Sequence, residues 1–100
     1  MSLLVVTYRA RPDLAADNQA HVEAVFGELD DCAPDGLRYA CLRLADDRFV
    51  HLADLAGEVN PLLTLDTFGR FSATVAARCE PGHEPNAQPA RLVGNYRLLG

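Results

Sequence analysis

The sequence predicts an α+β fold with the element order β-α-β-β-α-β, and three observations carry that prediction. Short runs rich in β-branched and aromatic residues stand at Leu3–Tyr8, Leu37–Leu44, Phe49–Leu55 and Arg91–Leu99. Two of the intervening segments repeat apolar residues at three- and four-residue steps, the period of a helix face. Turn-forming residues separate the runs, most clearly Pro34-Asp35-Gly36 and Gly57-Glu58-Val59-Asn60-Pro61.

The first strand ends at Arg11-Pro12, because the residue before a proline is pushed towards extended backbone. Asp13 then stands where an N-cap would satisfy the free amides of a helix. In that helix Leu14, Asn18, Val22, Val25, Phe26 and Leu29 form one stripe, while Asp17, Glu23, Asp30 and Asp31 fall off it. Four residues, Ala45-Asp46-Asp47-Arg48, join the second and third strands as a hairpin. Asn60 is placed to cap and Pro61 to occupy a first helical position, leading through a short irregular turn into the second helix. Its stripe reads Leu65, Phe68, Ser72, Val75 and Cys79, with Phe71 on the border. The stretch Glu80–Ala90 holds three prolines, Pro81, Pro85 and Pro89, and is expected to be a loop before a last strand at Arg91–Leu99. This order is that of the ferredoxin-like split βαβ unit, an antiparallel sheet with both helices on one face.

A chain of 100 residues makes one domain, spanning residues 1–100, and 49% hydrophobic residues exclude a disordered segment. The net charge is −5 and lysine is absent, so nine scattered arginines carry all the fixed positive charge. A nucleic-acid binder needs a basic stripe, and none is present. Cys32, Cys41 and Cys79 are an odd count at irregular spacings, neither a disulfide framework nor a metal-ligand pattern. They read as free thiols of a reducing compartment. The apolar run Leu3 to Val6 has no basic start or cleavage signal, and no stretch approaches the ~20 apolar residues of a membrane span. The expectation is a cytoplasmic protein that does not enter a membrane.

Strand side chains alternate between the two faces of a sheet. In the second strand Leu37, Tyr39 and Cys41 oppose Ala40, Leu42 and Leu44; in the third, Phe49, Ala53 and Leu55 oppose Val50 and Leu52. In the fourth, Val93 and Leu99 oppose Leu92, Tyr96 and Leu98. Both faces are apolar, whereas a sheet wetted on one side alternates apolar with polar. Two helices cover one face. Several hundred Å² of apolar surface left in water represents on the order of 10 kcal/mol of unused burial. The expected solution is a two-fold homodimer with sheet faces together.

The segments Asn60-Pro61-Leu62-Leu63, Phe68-Gly69-Arg70-Phe71 and Val93-Gly94-Asn95-Tyr96-Arg97-Leu98-Leu99, taken with the element order, resemble the antibiotic-biosynthesis monooxygenase-like family over nearly the whole chain. The resemblance implies a ferredoxin-like monomer that dimerises through its sheets into an α/β barrel. It also implies a function among those of the family: cofactor-free oxygenases that turn polycyclic phenols into quinones, haem-degrading enzymes, and enzymes or binders of small signalling molecules. The haem-degrading members share an asparagine on the first strand and a histidine on the second helix, and this chain has neither. The quinone-forming members carry a tryptophan and asparagines in the pocket between helices and sheet; this chain has no tryptophan.

Two residues are the catalytic candidates. Asn18 interrupts the apolar stripe of the first helix, and a buried amide there must find hydrogen-bond partners, which a pocket ligand could supply. Near a phenol such an amide would stabilise a developing phenolate. His51 lies mid-strand among Phe49, Ala53 and Leu55, with an ordinary pKa suited to removing a phenolic proton. Each has a purely structural alternative, an amide bonded to backbone and a satisfied core histidine. Tyr39, Tyr96 and Arg97 on strands, with Phe68 and Phe71 on the helix that roofs the pocket in this fold, are the ligand-binding candidates. No metal site and no cofactor are expected. The functional expectation is a cofactor-independent oxygenase acting on a small aromatic or quinol-like metabolite, with a non-catalytic small-molecule-binding dimer as the alternative.

Overall fold

The computed structural model describes residues 2–99. Strand β1 (Ser2–Arg9) leads to helix α1 (Ala15–Cys32), then to the hairpin of β2 (Leu37–Arg43) and β3 (Arg48–Leu55). A 3-10 turn (Pro61–Thr64) precedes α2 (Asp66–Thr74), which tightens into a second 3-10 turn (Val75–Arg78) before β4 (Asn86–Ala90). The sheet is antiparallel in the order β2-β3-β1-β4, so β1 and β3 are central. This is the ferredoxin-like α+β arrangement expected from the sequence. No helix of the described residues is long and apolar enough to cross a membrane.

The register sorts the side chains. Opposite Phe49 stands Tyr8, and opposite His51 stand Val6 on one side and Cys41 on the other. These residues point towards the helices, where Tyr8, Phe49, Val22, Val25, Leu62, Leu65, Phe71 and Val75 form the core. The opposite face carries Leu3, Val5, Val50 and Leu52, all half-buried, and Leu42, 51% exposed. The apolar outer face expected from strand alternation is therefore present on β1, β2 and β3.

The helix ends are held differently from the expected pattern. Asp13 does not cap α1: Leu14 occupies the cap position without a side-chain bond, and Asp13 instead lies 3.6 Å from the Arg11 guanidinium. Asn60 does cap, its Oδ1 accepting from the Leu62 amide at 3.0 Å, with Pro61 following as the fold requires. The start of α2 has no local cap. Glu28 of α1 replaces it, one carboxylate oxygen accepting from the Thr67 amide (3.0 Å) and hydroxyl (2.6 Å). Those bonds hold the Glu28 pKa below its ordinary value. On α2 the core stripe runs through Phe71, not Ser72. Ser72 is exposed and turns its hydroxyl back to the Gly69 carbonyl.

The fourth strand is the largest departure. It is Asn86–Ala90, inside the segment expected to be a loop, while Arg91–Leu99 is irregular. β4 is an edge strand paired with β1 alone, with Pro89 opposite Leu4. Only every second amide of an edge strand faces its neighbour, so a proline is tolerated there. Beyond it, Asn95 diverts the chain into a turn: its Oδ1 accepts from the Leu98 and Leu99 amides (3.2 and 2.9 Å) and its Nδ2 donates to the Leu99 carbonyl (2.7 Å). Arg97 takes a positive φ of 64°, which no strand contains. A short polar side chain bonding its own backbone competes with a ladder, and here it wins. Leu92, Val93, Tyr96 and Leu98 are left exposed.

Asn60→Ala should lower stability by about 1 kcal/mol, the usual loss for a cap. Urea unfolding with an unchanged slope is the measurement; an unshifted midpoint would show that Pro61 alone holds the turn.

Candidate functional site

One continuous hydrogen-bonded chain crosses the core between the helices and the sheet. At one end, Arg78 follows α2 on the 3-10 turn, and its Nε donates to Asn18 Oδ1 at 3.0 Å. Asn18 is fully buried on α1, and its Nδ2 donates to the Tyr8 hydroxyl oxygen on β1 at 2.8 Å. The Tyr8 hydroxyl lies 2.8 Å from His51 Nε2 on β3, and His51 Nδ1 lies 2.5 Å from the Tyr39 hydroxyl on β2. One helix, one 3-10 turn and three strands thus each contribute one polar group to an otherwise apolar interior. Among the described residues no buried side-chain nitrogen or oxygen lacks a partner.

Proton counting assigns the direction of each bond. An arginine only donates, so the Asn18 carbonyl must face Arg78 and its amide nitrogen must face Tyr8. Tyr8 and Tyr39 hydroxyls and one imidazole N–H then share two bonds, leaving one O–H proton over. A proton stranded on Tyr8 (4% exposed) would be a buried unsatisfied donor, at a cost of roughly 1–3 kcal/mol. Tyr39 is half-buried, and a proton there can reach a ligand or solvent. The network therefore assigns Tyr8 O–H donating to Nε2, Nδ1–H donating to Tyr39, and the free O–H on Tyr39.

Aromatic rings enclose this chain. Phe26 of α1 stacks on Tyr39 with centroids 5.0 Å apart, and His51 sits 5.4 Å from both Tyr8 and Phe71. Phe68 packs 6.0 Å from Phe71 and, like Phe26 and Tyr39, is only half-buried. The aromatic trio Phe26, Tyr39 and Phe68 is thus the less sealed end. Burial pushes the His51 pKa down to about 4, so the ring is neutral at physiological pH. Burial raises both phenols, Tyr8 and Tyr39, above their ordinary value. The Cys41 thiol, 3.5 Å from His51 Nε2, is pushed up to about 11 by burial and stays protonated.

Of the residues singled out in the sequence, Asn18, His51 and Tyr39 are brought together, with Phe71 and Phe68 above them. Tyr96 and Arg97 are not. They lie on the exposed segment after β4, where the Arg97 guanidinium stacks on Tyr96 at 5.0 Å. Tyr8 and Arg78 escaped the sequence reading although they complete the chain. Arg78 had a signal: it continues the stripe of Phe71 and Val75 by three residues, and a cation on an apolar helix face is as anomalous as Asn18. Tyr8 gave none, since a tyrosine in a strand is ordinary. Among the described residues no three His, Cys, Asp or Glu side chains gather as a metal-ligand group.

Unfolded, His51 would bind a proton near pH 6.5; folded, near pH 4. Between those values the unfolded chain holds more protons, so stability is complete above the upper value and is lost as pH falls towards the lower one. The gap corresponds to roughly 3 kcal/mol. His51→Gln should remove this acid-side loss, which urea midpoints at pH 7, 5.5 and 4 would show as a flatter profile. Parallel profiles for the two proteins would mean that His51 is not held neutral in the fold.

No protein-family model matches the chain, and no curated protein does. Solved structures do. The Rv0793 protein of Mycobacterium tuberculosis superposes with a TM-score of 0.74 over 94% of this chain and 96% of its own, at 14% identity. An antibiotic biosynthesis monooxygenase gives 0.70 over 94% and 100%, at 10% identity. A dimeric ferredoxin-like protein of unknown function from Jannaschia sp. CCS1 gives 0.61 over 92% and 100%, at 14% identity. The chain resembles antibiotic biosynthesis monooxygenase-like proteins in fold across nearly its whole length.

Proposed function

We propose that the chain is a homodimer, sheet face against sheet face, in which each subunit oxidises a small aromatic or quinol-like metabolite with dioxygen and without a bound cofactor. The observation that carries this reading is the buried chain of Asn18, Tyr8 and His51 ending in a free hydroxyl proton on half-buried Tyr39. A flat phenol lying against the Phe26–Tyr39 stack would meet that hydroxyl. The monooxygenase named among the structural neighbours supports the activity, and the dimeric ferredoxin-like neighbour supports the assembly.

Tyr39 would donate its outward O–H to the phenolic oxygen, and neutral His51 behind it, its Nδ1–H held on the Tyr39 oxygen, would keep that donor aimed while the phenol releases its proton to solvent at the less sealed end. The electron-rich ring then reduces dioxygen. One oxygen atom becomes the new quinone carbonyl and the other leaves as water, the substrate supplying all four electrons. Asn18 and Arg78 position Tyr8, and through it fix the His51 ring; they need not touch the substrate.

Binding without turnover is the second reading. It is favoured by the completeness of the hydrogen bonds, since among the described residues every buried side-chain nitrogen and oxygen has at least one partner within the protein.

Oxygen uptake with a panel of polycyclic phenols and hydroquinones separates the two. Turnover should fall by about 10²-fold or more in His51→Gln and Tyr39→Phe if a positioned donor to the developing phenolate is at work, and should fall in Asn18→Ala as the ring loses its anchor. Saturable binding with no oxygen uptake would leave the second reading; neither binding nor uptake would end both. For the assembly, sedimentation should give twice the 10.9 kDa chain mass. Leu42→Glu, on the exposed outer face, should shift it to the monomer. A wild-type monomer at micromolar concentration would refute the sheet-to-sheet dimer.

A further inference from the structure

Arg78 is buried to within 7% of its surface, yet no carboxylate among the described residues forms an ion pair with it. Its three nitrogens donate to neutral groups: Nε to Asn18 Oδ1 (3.0 Å), Nη1 to Thr74 Oγ1 (2.5 Å) and Nη2 to the Phe71 carbonyl (3.4 Å). Its planar group stacks 5.6 Å from the Phe71 ring. Two N–H groups, one on each terminal nitrogen, are left without an acceptor. A buried charge is ordinarily matched by an opposite one, because desolvating it alone costs several kcal/mol.

The guanidinium, which feels the Asp17 carboxylate but makes no ion pair with it, lines a shallow groove of about 690 Å³ between α1 and α2. The groove exists because the helices face each other there through Ala20, Ala24 and Ala73, which leave room between the backbones. Arg70 and His21 stand at its edges, and Asp17 is its one acid. Leu14 and Thr74 complete the lining, Thr74 with its hydroxyl on Arg78 Nη1.

We propose that this groove binds a small organic carboxylate, its anionic head on the two free N–H groups of Arg78 and its apolar body along the alanines. A guanidinium presents two parallel N–H groups in the spacing of a carboxylate's two oxygens. Arg70 adds positive charge at the rim, and Asp17 sets the preference for singly charged ligands over multiply charged ones. The site is separate from the aromatic end at Tyr39 and stands whether or not oxidation occurs there. It is joined to that end through Asn18, so its occupancy would stiffen the hydrogen-bonded chain.

The test uses sodium benzoate as probe and the Arg78 Nε–H resonance as readout. Saturable shifts are expected in the wild-type protein. Ala73→Phe fills the groove from an exposed position and leaves Arg78 and its partners in place; affinity should weaken about tenfold or more, equivalent to 1.4 kcal/mol. Substituting Arg78 removes a core anchor along with the site, so the groove variant carries the decision. A linear response, an equal response to sodium chloride at matched ionic strength, or an unchanged affinity in Ala73→Phe would each overturn the proposal. Saturation at the groove with no oxygen uptake at any substrate would leave it standing while the oxygenase reading fell.

Discussion

A guanidinium, an amide, an imidazole and two phenols share the interior of this small fold, and every one must be paired for the core to close. Leaving one buried donor or acceptor unmatched costs roughly 1–3 kcal/mol, a large part of a small domain's stability. The pairing is therefore a constraint on everything around it. β1 and β3 must run in the register that sets Tyr8 against Phe49 and Val6 against His51. α1 must present Asn18 inward, and α2 must end in a tightened turn that delivers Arg78 to it. A one-residue slip of either central strand would send its polar member to the opposite face and break the chain at that link.

Much of this was legible because apolar pattern and polar anomaly are both written in sequence. Leu3–Tyr8, Leu37–Leu44 and Phe49–Leu55 are strands for the reasons their composition suggests, and Asn60-Pro61 starts a helical turn as its chemistry dictates. Asn18 and His51 stood out as polar groups among apolar ones, and the fold brings both to the same place. What failed to show was context. β4 was hidden by Pro89, which an edge position permits, and Arg91–Leu99 looked like a strand because Leu92, Val93, Tyr96, Leu98 and Leu99 are apolar, while Asn95 among them ties the backbone into a turn. Tyr96 and Arg97 were drawn into the site by that error. The α1 cap failed because the cap position falls one residue later, at Leu14, and Asp13 turns to Arg11; the Ser72 assignment failed because the sheet beneath Phe71 overrides what neighbouring residues favour.

The same constraint explains how a sealed core can still have chemistry at its ends. Arginine and asparagine have fixed donor and acceptor roles, so the Arg78 end of the chain has one arrangement. The imidazole and hydroxyls can each donate or accept, so the Tyr39 end has two, and the difference in burial between Tyr8 and Tyr39 selects one of them. The surplus proton is forced outward. A fold that merely needed a filled core would do better with leucine and phenylalanine at these positions, since a well-packed apolar group costs no desolvation.

Both ends consequently offer unfilled hydrogen-bonding capacity where the protein surface comes nearest: a phenolic O–H at the Phe26–Tyr39–Phe68 end, two guanidinium N–H groups in the groove between the helices. Between them lie only three residues. A ligand that orders the guanidinium tightens Asn18, and Asn18 donates to the oxygen of Tyr8 that must in turn donate to His51. Polarising that phenol makes its O–H a better donor, which pulls electron density from Nε2 and makes the Nδ1–H more acidic towards Tyr39. Chains of hydrogen bonds strengthen one another in this way, by something like 10–30% per bond. Coupling between an anion in the groove and the Tyr39 end would therefore run through this chemistry rather than through movement of the backbone, and would need no element of the fold to change place.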